Sequence, residues 1–307
     1  MSASVTVAPL KPPCAALPSW LAEQFGQTHL STSNPLDPIL HPRQGRRPSA
    51  RPRLLVSIRN AYEARLARTA GVEWIDLKNP DRGSLGAADE PTSVAVADEL
   101  RHFSDPVNSA GCVVSAAVGE LRDAPLAAAQ FLAQHFPVLK VGLSGLRDRA
   151  DWRTSFVDFA QQLQAFGANL VPVIYADHEQ CSAPTPAQVI EVAEQCSGQL
   201  NSVDSSARGA SLTPSTSRYL LVDTFTKDGR GLLDWIGLPE LAAVIEHAAQ
   251  TGRLVVLAGS LAQQDLPKLW DLPVAAIAVR GAVCAADRRS EVCAQKLQQW
   301  VELFRNR

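Results

Sequence analysis

Leu54-Leu55-Val56-Ser57-Ile58, then Ala61–Ala70, then Trp74-Ile75-Asp76-Leu77-Lys78 read as a strand, an amphipathic helix and a second strand. The two outer runs are short and aliphatic or β-branched, with the length of buried strands. A strand, helix and strand joined this closely form a unit whose strands lie parallel. The turn leaving the first strand, Ser57-Ile58-Arg59-Asn60, contains no glycine. That disfavours a doubly wound open sheet, which places a Gly-rich phosphate turn at this point.

The same alternation runs on to the C-terminus. Further strands are expected at Cys112–Ala117, Leu139–Leu143, Leu170–Tyr175, Tyr219–Thr224, Leu254–Gly259 and Ala275–Gly281, which makes eight. Helices are expected at Thr92–Arg101, Leu126–His135, Trp152–Phe166, Pro186–Gln195, Gly237–Thr251, Ala262–Leu269 and Glu291–Phe304, so that each strand has a helix after it. Residues 53–307 match the roughly 250 residues of a closed (β/α)8 TIM barrel, an α/β fold, and a single catalytic domain of that kind is predicted. Residues 1–52, rich in proline and arginine, read as a poorly ordered N-terminal extension. A polar, Ser-rich stretch at 197–217 is too long for an average connection and reads as an insertion.

Composition excludes several classes of function. A net charge of −2 gives no global field to gather nucleic acid or an anionic membrane surface, so neither partner is expected. The six cysteines form no CxxC pair and no histidine stands at a ligand spacing from them, so no metal site is expected. The apolar runs are far too short to span a bilayer, and the first thirty residues lack the pattern of an export signal. A cytoplasmic protein with reduced thiols follows, and a homo-oligomer is compatible with its composition.

In a barrel, catalytic groups come from the C-terminal ends of several strands, and alternate strand residues face inward. In Trp74–Lys78, Ile75 and Leu77 share one face while Asp76 and Lys78 share the other. Lys140 stands among apolar neighbours in strand four, and strand six ends at Asp223, with Lys227 in its loop. One inward Lys–Asp pair is equally well explained as a buried salt bridge. Several lysines, aspartates and an arginine at four strand ends are better explained by a reactive pocket. Crowded amines lower one another's pKa, and a neutral lysine attacks a carbonyl to give an imine. Asp76 and Asp223 are the expected general acid and base. Gly259-Ser260 after strand seven and Arg280-Gly281 after strand eight are placed to bind a substrate phosphate through backbone amides and a guanidinium. Asp177, opening the loop after strand five, is a minor candidate and more simply a turn cap. His178 reads as a solvated loop residue and Cys284 as a packed thiol.

Five motifs carry a resemblance. Lys78-Asn79-Pro80-Asp81-Arg82-Gly83-Ser84-Leu85-Gly86-Ala87, Lys140-Val141-Gly142-Leu143, Asp223-Thr224-Phe225-Thr226-Lys227-Asp228-Gly229, Leu257-Ala258-Gly259-Ser260 and Val279-Arg280-Gly281-Ala282 resemble the (5-formylfuran-3-yl)methyl phosphate synthases in sequence and order. The resemblance runs from about Leu54 to the C-terminus. It implies a carbon–oxygen lyase of methanofuran biosynthesis that joins two molecules of glyceraldehyde 3-phosphate into a furan aldehyde phosphate, with no cofactor. It also implies that Lys78 forms the imine and that Asp76, Lys140, Asp223 and Lys227 are further active-site positions. The chain departs from the family at Ser115-Ala116-Ala117-Val118-Gly119-Glu120, where SATVGD is usual, and at Ala286-Asp287-Arg288, where GDR is usual. An aldolase acting on another phosphosugar through a Schiff base and a non-catalytic anion-binding barrel are the alternatives.

Overall fold

The computed structural model describes residues 51–102, 112–198 and 218–307. Most of the expected N-terminal extension and of the Ser-rich insertion lies outside these residues. Eight strands, β1 (Arg53–Ile58), β2 (Trp74–Leu77), β3 (Val113–Glu120), β4 (Val138–Gly142), β5 (Asn169–Tyr175), β6 (Tyr219–Asp223), β7 (Leu254–Leu257) and β8 (Ala276–Val279), pair in parallel and in chain order. β8 returns to β1, so the sheet closes into a barrel. The expected TIM-barrel architecture is therefore the observed one.

The helices α1 (Ala61–Ala70), α2 (Glu90–His102), α3 (Leu126–Ala133), α4 (Trp152–Gln164), α5 (Pro186–Gly198), α6 (Leu232–Trp235), α7 (Leu238–Gln250), α8 (Leu266–Leu269) and α9 (Ala294–Arg305) lie between the strands and after the last. α1 starts where Asn60 accepts a hydrogen bond from the amide of Glu63, and it ends at Gly71 with φ 82°. The side-chain cap and the left-handed glycine stop are what its sequence predicts. The helix expected over Ala262–Leu269 is instead a 3-10 turn, Gln263–Asp265, and the one-turn α8. The last helix starts later than expected, because Val292 bridges antiparallel to Cys284 before the chain can coil. α6 was not anticipated.

Two apolar layers follow from the period of two along each strand. Outward residues such as Leu54, Val56, Ile75, Leu77, Leu139, Val141 and Ile277 pack under the helices. Inward residues such as Leu55, Trp74, Val113, Val138, Val171, Tyr219 and Leu221 fill the barrel. Trp74 and Tyr219, the first residues of β2 and β6, meet edge to face with ring centroids 5.0 Å apart and plug its lower end. The upper, C-terminal end carries the polar inward residues. No helix of the described residues is long and apolar enough to cross a membrane.

Candidate active site

Asp76 lies in β2 and Lys78 directly after it, both on the inner face. The amide of Lys78 donates to the carbonyl of Ile58 at 2.9 Å, so its backbone is still held against β1. Lys140 reaches Asp76 from β4, with Nζ 2.6 Å from Oδ2. Asp76 also accepts from Ser57 Oγ at 3.1 Å and Ser115 Oγ at 2.7 Å, and Ser115 accepts in turn from Trp74 Nε1. Both oxygens of Asp76 are thus occupied, and the residue is 0% exposed. So enclosed, Asp76 is placed as the counter-ion to Lys140, and not as the exposed acid or base expected from the sequence.

Asp223 ends β6 and repeats the arrangement. Its carboxylate accepts from Lys227 Nζ at 2.9 Å, from the amide of Thr224 at 2.7 Å and from Ser84 Oγ at 3.1 Å. Ser84 Oγ is also 2.9 Å from the Thr224 carbonyl, so the long loop after β2 crosses the mouth and is tied to β6. Burial opposes ionisation of Asp223, but Lys227 and Lys78 outweigh it and hold the carboxyl at about 2. Such a group stays ionised near neutrality. Its place is therefore also that of a counter-ion, here to Lys227.

Lys78 differs from both neighbours. Lys140 and Lys227 are paired with carboxylates, whereas Lys78 forms no ion pair among the described residues. It is half-buried, and its pKa falls to about 7. Loss of hydration is the largest cause. Lys227 and Lys140 lower the value further, against the opposing pull of Asp223 and Asp76. Near pH 7 a large share of the amine is thus neutral and nucleophilic. The sign for stability follows. Between pH 10.5 and about 7 the unfolded chain binds a proton at Lys78 that the folded chain releases, so the penalty on folding is fully present below pH 7 and lifts as pH rises towards 10.5. Lys78→Met is expected to melt at a higher temperature than the parent at pH 7, with the gap narrowing towards pH 10. A gap independent of pH would contradict a depressed amine.

The loops after β7 and β8 were expected to hold phosphate. Gly259 has φ 103° and Ser260 φ 51°, a left-handed pair that turns the chain sharply at the mouth. A Cβ on Gly259 would lie 3.0 Å from Thr224 Cγ2, so only glycine fits this approach to β6. Gly281 opens a short 3-10 turn, Gly281–Val283, beside Arg288. Arg280 contradicts the expectation. Its guanidinium is buried, ion-paired to Glu63 at 2.9 Å, and donates to the carbonyls of Ser57, Arg288 and Ser290. With those donors occupied it is a structural residue and not a phosphate ligand.

Arg288, which the sequence reading passed over, stands at the mouth instead. It is half-buried and donates to the Gly83 carbonyl at 2.8 Å. Burial lowers its pKa, while Asp223 acts to raise it, which places the two groups in one electrostatic neighbourhood. The signal was its position in the Ala286-Asp287-Arg288 departure. Asp177 is buried and accepts from the amides of Phe225 and Thr226, both at 2.7 Å. It clamps the loop carrying Lys227 from 48 residues away, a structural role, but a long-range one in place of the local turn cap expected.

A family model described as 4-HFC-P synthase matches residues 54–301. The chain belongs to this family. It is 31% identical over 246 residues to the (5-formylfuran-3-yl)methyl phosphate synthase of Methanopyrus kandleri, covering 78% of this chain and 92% of that one. It is 29% identical over 249 residues to the synthase of that name from Methanococcus maripaludis, covering 79% and 94%. In fold it is similar to phosphoribosyl anthranilate isomerase from Thermus thermophilus, with a TM-score of 0.53 and 17% identity over 83% of this chain and all of that one. The family match spans every motif that carried the resemblance, from Lys78 to Arg280. At the first departure, Ala117 stands beside Lys140 in the β3–β4 register.

Proposed function

We propose that the chain is a (5-formylfuran-3-yl)methyl phosphate synthase of methanofuran biosynthesis, joining two molecules of glyceraldehyde 3-phosphate through a Schiff base on Lys78. One observation carries this reading: Lys78 is the unpaired lysine among three at the mouth, the other two being tied to buried carboxylates. In this reading the neutral Nζ of Lys78 adds to the carbonyl carbon of one triose, and water leaves as the imine forms. The imine acidifies the neighbouring carbon, a base of the pocket takes its proton, and the enamine expels the phosphate on the next carbon, leaving an enol whose terminal carbon attacks the ketone of the second triose after that triose has isomerised. Ring closure with loss of two waters, and hydrolysis from Lys78, leave the furan aldehyde phosphate.

Lys140 and Lys227, each paired with a carboxylate, still lower the Lys78 pKa and so help to hold its amine neutral. The retained phosphate is assigned to the backbone at Gly259, Ser260 and Gly281, with Arg288 supplying the guanidinium first expected of Arg280. Incubation with glyceraldehyde 3-phosphate tests the reaction. The expected result is a conjugated furan aldehyde absorbance rising with inorganic phosphate. A reversible sugar phosphate without the chromophore would favour an aldolase, and no consumption of the triose would favour a binding protein.

A further inference from the structure

If Asp76 and Asp223 are closed counter-ions, the proposed reaction lacks a carboxylate to carry protons to and from carbon. A third carboxylate stands at the mouth. Glu120 is the last residue of β3, and the β3–β4 register shifts between Ala117 and Glu120, so that Glu120 comes opposite Gly142. Gly142 follows Lys140 by two residues and shares its inward direction. A Cβ at Gly142 would collide with both carboxylate oxygens of Glu120 and with the hydroxyl of Tyr175. The missing side chain is therefore the space that Glu120 fills, one step above Lys140 on the inner wall.

The carboxylate is held in that space from two sides. Tyr175, the last residue of β5, donates from its hydroxyl to Oε1 at 2.6 Å, and the amide of Ser144 donates to Oε2 at 2.9 Å. Tyr175 is 0% exposed, and Phe225 packs edge to face on its ring at 5.5 Å. Burial first, and then Glu120, push its phenol well above the ordinary value, so it stays protonated and keeps donating. Glu120 itself is only half-buried, unlike Asp76 and Asp223. It is anchored yet open to the mouth.

We propose that Glu120 is the proton-transferring carboxylate of this site, positioned by Tyr175, and that it carries out the dehydration of the condensed six-carbon intermediate held on Lys78. The inference rests on the condensation reading above. The step balances. A Glu120 oxygen takes a proton from the newly bonded CH2, beside the carbonyl that adjoins the imine, and that C–H electron pair forms the enolate. The enolate expels the β-hydroxyl, whose C–O bond breaks as the new C=C bond forms. The proton now on Glu120 goes to the departing oxygen, water leaves, and the carboxylate is restored. Tyr175 touches no reacting atom and fixes the direction of Oε1.

The test uses the full chain with glyceraldehyde 3-phosphate, borohydride quenching, peptide mass mapping and furan absorbance. Glu120→Gln keeps the shape and removes the proton carrier. Its triose adduct on Lys78 is expected at the parental level, while furan formation falls by about 10²–10⁴-fold. A hydrated six-carbon adduct, one water heavier than the dehydrated form, is expected to build up on Lys78. Tyr175→Phe is expected to lower kcat by about tenfold with KM unchanged, as for an interaction that serves the transition state. Glu120→Gln making furan within about twofold of the parental rate would overturn the proposal, as would loss of the Lys78 adduct in step with the furan. If Glu120→Gln does not fold, a parental kcat in Tyr175→Phe overturns it. A parent chain that forms neither adduct nor furan refutes the condensation reading itself, and the proposal falls with it.

Discussion

Lys78→Ala is expected to lower furan formation by at least about 10⁴-fold, the scale on which loss of a covalent nucleophile registers. Borohydride added during turnover is expected to fix a triose to Lys78 in the parent and to leave the variant unmodified. The size of the effect follows from the electrostatics around the amine. Lys140 is tied to Asp76 at 2.6 Å and Lys227 to Asp223 at 2.9 Å, so neither is free to replace the lost nucleophile. Substituting those neighbours should act differently. Lys140→Met or Lys227→Met removes a cation that lowers the Lys78 pKa and leaves a buried carboxylate without its partner. The expected outcome is a weaker and less stable enzyme that still forms the adduct. An intact adduct and unchanged turnover in Lys78→Ala would show that the imine is formed elsewhere or not at all.

Glu63→Ala is expected to destabilise the fold by about 3–5 kcal/mol, the cost of leaving one partner of a buried ion pair alone. Glu63 is 0% exposed and belongs to the first turn of α1, yet it joins distant parts of the chain. It accepts from Arg280 Nη1 at 2.9 Å, from the amide of Arg59 at 2.8 Å and from the amide of Val292 at 3.2 Å. Arg280 in turn donates to the Ser57 carbonyl of β1. The pair therefore locks the loop after β8 onto β1, where the barrel closes. For a chain of this size the loss corresponds to a drop in melting temperature on the order of 10 °C. The double variant Glu63→Met with Arg280→Met should recover much of the loss, because no charge is then stranded. If Arg280 were instead a phosphate ligand, Glu63→Ala would leave stability unchanged and Arg280→Met would chiefly raise KM.

The architecture was legible because it is written in local periods. Runs such as Leu54–Ile58 and Leu170–Tyr175 are recognisable without knowing their neighbours, and their spacing sets the number of βα units. Errors fell where backbone geometry depends on contacts made later. The stretch over 262–269 breaks into a 3-10 turn and one α-turn, and the last helix waits for the bridge between Cys284 and Val292. Within the site, the period of two set Asp76 and Lys78 on one face, and position at the strand ends grouped them with Lys140 and Lys227.

Direction, however, is not partnership. A strand pattern tells which way a side chain points, and it cannot tell what waits there, because the partner comes from another strand. Arg280 read as a phosphate ligand until the structure placed Glu63 against it, from a position 217 residues earlier. Asp76 and Asp223 read as proton carriers until closure of the barrel surrounded them with serines, an amide and lysines. Glu120 read only as a lengthened acid in a departing motif, and its place above Gly142 and beneath Tyr175 depends on a register shift that no local pattern announces. The sequence by itself determined the eightfold alternation and the family motifs, and it marked Lys78 as the candidate imine former. Only the tertiary structure decided which charges are mutually neutralised and which stay open to a substrate, since that depends on side chains far apart in the chain sharing one desolvated mouth.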